Sequence, residues 1–188
     1  MSSKSEDQKN AVISIVGTVL FAVLTILLPL LKVLGGFLTY SESTEILSQT
    51  VKTSVDYYWD KVTGSILGIS LDYTYNQYVD QGELSAEIIW QIIPLWGLIW
   101  LILGIIGVVL VILPAFQKLL DQEPIRVGKI GLGAGLIATV GEYGLFIIAW
   151  VLEDWETTTP NINIILLACF VIGWIGLIIG YIFAMKES

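Results

Sequence analysis

The sequence predicts an all-α integral membrane protein: a four-transmembrane-helix bundle with a small extracytoplasmic β-hairpin domain between helices 1 and 2. Three observations predict it. Of 188 residues, 55% are hydrophobic and only 14% are charged, a balance too apolar for an ordinary soluble domain. Four apolar runs of 21 to 26 residues are separated by polar segments, and about 20 residues suffice to cross a hydrocarbon core of about 30 Å. The longest polar segment, 39–87, alternates apolar with polar residues, and a period of two is a strand signal.

The formal charge of -8 is regional, because eight of the seventeen acids fall between Glu42 and Glu87, beside only Lys52 and Lys61. Nucleic-acid binding needs a basic stripe to neutralise phosphates, and the chain has none. There is no histidine and a single cysteine, Cys169. An intrachain disulfide, a Cys/His zinc site and a histidine-ligated haem are therefore excluded, and no cofactor or bound metal is expected. A carboxylate or carbonyl site for a hard cation stays open.

Residues 1–10, MSSKSEDQKN, form a polar cytoplasmic tail, and no small-residue cleavage pattern follows. The first span and its exit occupy 11–38, with Pro29 expected to kink the helix near its far end. Lys32 follows where a long side chain reaches the interface, a reading preferred over an ion pathway. Ser14, Thr18, Ala22 and Thr25 recur every three to four residues and give the span a small face.

The extracytoplasmic segment 39–87 is acidic. Val51, Thr53, Val55, Tyr57 and Trp59 alternate with polar residues, as do the residues from Leu67 to Tyr75, so strands are predicted near 50–60 and 66–76, joined at Gly64. Leu47, Val51, Val55, Tyr58 and Val62 also fit a helix beginning near Thr44; β-branched and aromatic enrichment favours strand. Gly82 marks a turn, and Ser85 is expected to cap the next helix.

The second span, 88–113, places Gly97, Trp100, Gly104 and Gly107 on one face. Trp90, Trp96 and Trp100 read as interface anchors and packing rather than a ligand cage. The connector 114–127 is short and Pro-bounded, with Lys118, Arg126 and the following Lys129 against Asp121 and Glu123. The third span is 128–152, the acidic loop 153–163 follows, and the fourth span, 164–185, leads to a tail at 186–188. Basic residues at Lys4, Lys9, the connector and Lys186 put both termini in the cytoplasm by the positive-inside rule. Gly131 and Gly135 in the third span, and Gly173, Gly176 and Gly180 in the fourth, are the predicted helix-packing positions, with Cys169 a small packing residue beside them.

One ionisable residue lies deep in a span. Gly128, Gly131, Gly135, Ala138, Glu142 and Ala149 share a helical face, so Glu142 is turned toward other helices rather than lipid. If the helix begins near Lys129, Glu142 lies about 20 Å into a core of about 30 Å, too deep for its side chain to reach either surface. Protein or trapped water must solvate it, and Thr25, at a similar depth, is the expected hydrogen-bond partner. Polar glue worth about 1 kcal/mol is the preferred reading; a proton or cation site is the other.

The order of four spans, a long first outer loop, a short basic inner connector and two inner tails resembles the claudin and peripheral-myelin-protein group of tetraspan proteins. Lys129 ahead of a Gly-rich third helix, and Ile172-Gly173-Trp174 ahead of Gly180, resemble that family's motifs. Trp59 stands for one first-loop tryptophan, while the family's Gly-Leu-Trp and cysteine pair are absent. The resemblance implies a small β-sheet in the first loop that contacts neighbouring molecules. Trp59, Tyr73 and Tyr75 are this chain's own candidate outer-loop contact residues. The sequence thus reads as a non-enzymatic plasma-membrane protein, embedded in the lipid bilayer as a homo-oligomer or within a larger membrane-protein assembly. The alternative is a small proton- or cation-conducting protein, or an accessory subunit of a membrane enzyme, using Glu142.

Overall fold

In the computed structural model, residues 2–46, 49–80, 85–155 and 159–185 are described. Gly82 and the tail 186–188 lie outside them. Four helices are long and apolar enough to cross a membrane, at Ser5–Leu30, Glu87–Leu119, Gly128–Leu152 and Ile164–Met185. Helix α1 (Ser2–Phe21) runs through the expected polar tail, continues as a π-helical segment Ala22–Leu27 and ends with the turn Leu28–Leu30. Pro29 cannot donate to the carbonyl of Thr25 and its ring crowds that carbonyl. The helix answers by widening, with the Leu28 N–H bonded to the Val23 carbonyl. Lys32 follows with φ 57°; instead of extending along lipid, its ammonium pairs with Asp60 at 2.7 and 2.8 Å.

Between the first two spans lies more than the predicted hairpin. Strands β1 (Leu38–Ile46), β2 (Gln49–Tyr57), β3 (Val62–Ile66) and β4 (Ile69–Tyr73) are followed by the short helix α2 (Tyr75–Asp80). After α3 (Glu87–Leu119) and α4 (Gly128–Leu152), the two-residue strand β5 (Asn161–Ile162) precedes α5 (Ile164–Met185). The sheet order is β4-β3-β2-β1-β5. All pairings are antiparallel, with β5 joined to Leu38 and Thr39. The helix from Thr44 is thereby excluded, since Gln49–Tyr57 is extended and pairs on both sides.

Two boundaries differ from the expectation. Gly64 is no turn: it sits inside β3, opposite Val55 and Leu71. Its neighbours Thr63 and Ser65 look turn-like in composition, but ladder pairing on both sides overrides that preference. The turn is instead at Leu67 and Gly68, whose φ values of 53° and 80° meet the requirement of a two-residue type I′ hairpin. The predicted strand 66–76 is therefore split between the end of β3, β4 and α2. Residues 38–46, in part assigned to the first span's exit, form β1.

The chain divides into two compact units. The first holds residues 1–31, 99–140 and 167–188. Its core is Phe21, Ile26, Val111 and Leu177, and its helices meet through glycine. A β-carbon at Gly17 would stand 2.5 Å from the Gly176 carbonyl oxygen, and one at Gly176 would stand 2.7 Å from that of Gly17. One at Gly180 would meet the Thr18 hydroxyl at 2.5 Å, and one at Gly173 would collide with the Thr25 methyl. On the other side of the unit, Gly131 faces Leu110 and Gly107, while Gly135 faces Leu177 and Phe21. Backbones approach this closely only where both surfaces lack side chains. The second unit holds residues 32–98 and 141–166 and therefore carries the sheet.

Candidate functional site

In the sheet-bearing unit the core is aromatic. Trp90 is fully buried, stacked on Tyr75 with ring centroids 5.6 Å apart and tilted against Tyr57 at 5.3 Å. Phe37 stacks on Phe146 at 4.4 Å. Trp90 is thus a core packing residue, one of the two roles expected of it. Trp96 lies against Gly141, where a β-carbon would stand 2.6 Å from its ring.

Glu142 follows Gly141 and is completely buried. Neither of its carboxyl oxygens has a hydrogen-bond partner among the described residues, and the indole N–H of Trp96 has none either. Thr25, the expected partner, belongs to the other unit and donates its hydroxyl to the Phe21 carbonyl at 2.8 Å. That i−4 bond is the ordinary use of a helical threonine hydroxyl. Tyr75 is also buried, and its hydroxyl donates to the Tyr58 carbonyl at 2.5 Å. Burial, reinforced by the charges of Glu142, Tyr57 and Asp60, pushes the Tyr75 phenol well above its ordinary value.

A second carboxylate, Glu153, was not singled out by the sequence beyond its place in an acidic loop. It accepts the backbone N–H and hydroxyl of Ser85, the N–H of Ala86 at 3.0 Å and the indole N–H of Trp90 at 2.6 Å. Ser85, expected to cap α3 itself, instead hands that task to Glu153 and accepts the Asp154 N–H at 3.1 Å. An anion at a helix N-terminus satisfies orphan donors and meets the positive end of the dipole. Asn163 plays the matching part for α5: its carbonyl oxygen accepts the Leu166 N–H at 3.0 Å, while its amide donates to Leu34 and Gly36 at 2.7 and 2.9 Å. These two residues tie the second loop to α3 and to the start of the sheet.

The sheet has one apolar face, and the three predicted contact residues divide on it. Trp59 packs on α3, where a β-carbon at Gly97 would stand 2.8 Å from its ring. Tyr75 is 1% exposed and cannot meet a partner directly. Tyr73 remains accessible and lines a groove of about 210 Å³ with Val55, Gly64, Ile66, Leu71 and Tyr78. Gly64 opens this groove, because a β-carbon there would touch nothing within 4 Å. Beyond it the hairpin tip is bare: Ile66, Leu67, Ile69 and Leu71 are 52, 69, 67 and 52% exposed.

On the opposite face Asp72 accepts from Lys61 and, at 2.8 Å, from the Thr63 hydroxyl. These bonds, Lys61 first, hold its carboxyl below the usual range. Asp56 is shifted the other way, since burial raises it more than the Gly36 N–H lowers it. Among the described residues no group of three or more histidine, cysteine, aspartate or glutamate side chains is placed to hold a metal ion. No protein-family model, curated protein or solved structure matches this chain.

Proposed function

We propose that this chain is a non-enzymatic integral membrane protein, claudin-like in topology, that acts in membrane-protein assembly or cell-surface contacts through the sheet outside its spans. In this reading it resides in the plasma membrane with both termini in the cytoplasm. The observation that carries it is the hairpin tip. Leu67 holds a left-handed backbone conformation that costs a non-glycine residue roughly 1–2 kcal/mol, and it exposes a leucine side chain there. Asparagine or glycine would relieve both penalties. Retaining leucine beside exposed Ile66 and Ile69 is accounted for if a partner covers them. The test is Leu67→Asn, which suits the turn and removes the apolar tip. Protein purified from its native membrane is expected to carry further copies or partner proteins, and the variant to lose them while its melting temperature holds or rises. Wild-type protein that purifies as a lone protomer overturns the reading.

Glu142 supports a second reading, a small proton- or cation-conducting protein or accessory subunit, because both carboxyl oxygens lack a partner among the described residues at a fully buried position. It predicts a pH- or cation-dependent flux in reconstituted vesicles that Glu142→Gln abolishes without altering assembly.

A further inference from the structure

We propose that β4 pairs with β4 of a second copy, antiparallel, about a two-fold axis at Leu71; this rests on the assembly reading above and names its partner and register. The strand is a sheet edge, bonded only to β3 among the described residues. A two-residue turn closes on Ile66 and Ile69, which therefore exchange both ladder bonds. Alternation then directs the backbone groups of Ile69, Leu71 and Tyr73 toward β3 and those of Ser70 and Asp72 toward the free edge. Ser70 and Asp72 are exposed, as are Ile69 and Leu71, and Tyr73 is half-buried. Such an edge is a template for one more strand.

Charge and length select the register. An axis on Asp72 would set two carboxylates directly opposite, which is destabilising. An axis on Ser70 would leave Asp72 and Tyr73 beyond the end of the neighbouring strand. With the axis at Leu71, all five residues of β4 pair: each Ser70 meets an Asp72 in a hydrogen-bonded pair, each Ile69 meets a Tyr73, and the two Leu71 side chains meet on the axis. The two Asp72 carboxylates then stand on a diagonal, each held by its own Lys61. Ile69, Leu71 and Tyr73 share the groove's face, so the second copy extends that apolar face as a continuous surface and covers the exposed side chains at its edge.

The test uses the full-length protein in detergent with Cys169→Ser as background. Directly opposed residues in a non-hydrogen-bonded pair have Cα atoms about 4.5 Å apart, within the span that a disulfide bridges. Leu71→Cys is therefore expected to give a disulfide-linked dimer under mild oxidation. Thr74→Cys, whose mate would lie about 20 Å away along the strands, is expected to stay at background. Ser70→Asp opposes like charges at both rungs and should slow cross-linking about tenfold; Ser70→Lys should speed it at low salt. All three positions are exposed, and an unchanged melting temperature verifies the fold of each variant. An oligomer by native mass in which Thr74→Cys links as well as Leu71→Cys, or in which Ser70→Asp changes nothing, overturns the strand pairing and leaves the assembly reading standing. A native mass of one chain overturns both.

Discussion

Glu142 is the residue whose chemistry the fold leaves unanswered. A buried polar atom without a partner costs about 1–3 kcal/mol, whereas an apolar group of similar shape in the same place is neutral or stabilising. Both oxygens of Glu142 are in that position, and the threonine expected to meet them has its hydroxyl on Phe21. Methionine is close to glutamate in length and flexibility and fills irregular gaps. Glu142→Met is expected to fold and to match or exceed the wild-type stability by about 1 kcal/mol, read as an unchanged or higher melting temperature in detergent. A fall of that size would mean that a hydrogen bond at this position supports the fold. If stability is kept, retention of the carboxyl points to a use other than packing, and the flux measurement on Glu142→Gln is its natural continuation.

At the scale of elements, the start of α3 depends on a side chain more than sixty residues away in sequence. Glu153 gathers four donors from Ser85, Ala86 and Trp90, and the Trp90 indole lies in the aromatic core, where its N–H has no solvent to turn to. Glu153→Ala is therefore expected to lower stability by about 2–3 kcal/mol, the range of charge-assisted bonds with a buried donor left behind. Glu153→Gln, which keeps acceptor geometry at one oxygen, should lose less. Thermal unfolding followed by tryptophan fluorescence measures both, and equal stability of all three proteins would remove Glu153 from this role. The contrast with the spans shows what was readable from the chain. The four helices follow from apolar length alone, and Gly176 and Gly180 recur at a spacing that already names a packing face. Strand β2 announced itself by alternation. The turn at Leu67 and Gly68 did not, because leucine is a poor indicator of positive φ and Gly64 looked the better breaker. Strand β5 is two residues long and exists only because β1 offers it an edge. Glu153 and Asn163 act across distances that no local pattern encodes; Pro29, in contrast, did signal the change in α1, though as a kink rather than a π-helical segment.

At the scale of the whole molecule, the distribution of charge sets the expected orientation. Of nine basic residues, Lys4, Lys9, Lys118, Arg126, Lys129 and Lys186 lie at the tails or in and just after the connector between α3 and α4. Lys32, Lys52 and Lys61 lie on the sheet side, where Lys32 and Lys61 are paired with Asp60 and Asp72. Positive charge near span ends is retained in the cytoplasm, and acids count little in that rule. The sheet is therefore expected outside and the connector inside. Single cysteines in a Cys169→Ser background report this directly, because Ser43 on β1 and Gln122 in the connector are both exposed. An impermeant thiol reagent added to intact cells is expected to label Ser43→Cys at once and Gln122→Cys only after permeabilisation. The reverse pattern would invert the protein in its membrane and remove the sheet from cell-surface contact. Labelling of both positions in intact cells would mean that α3 does not separate them across a bilayer, and the four-span reading would fail with it.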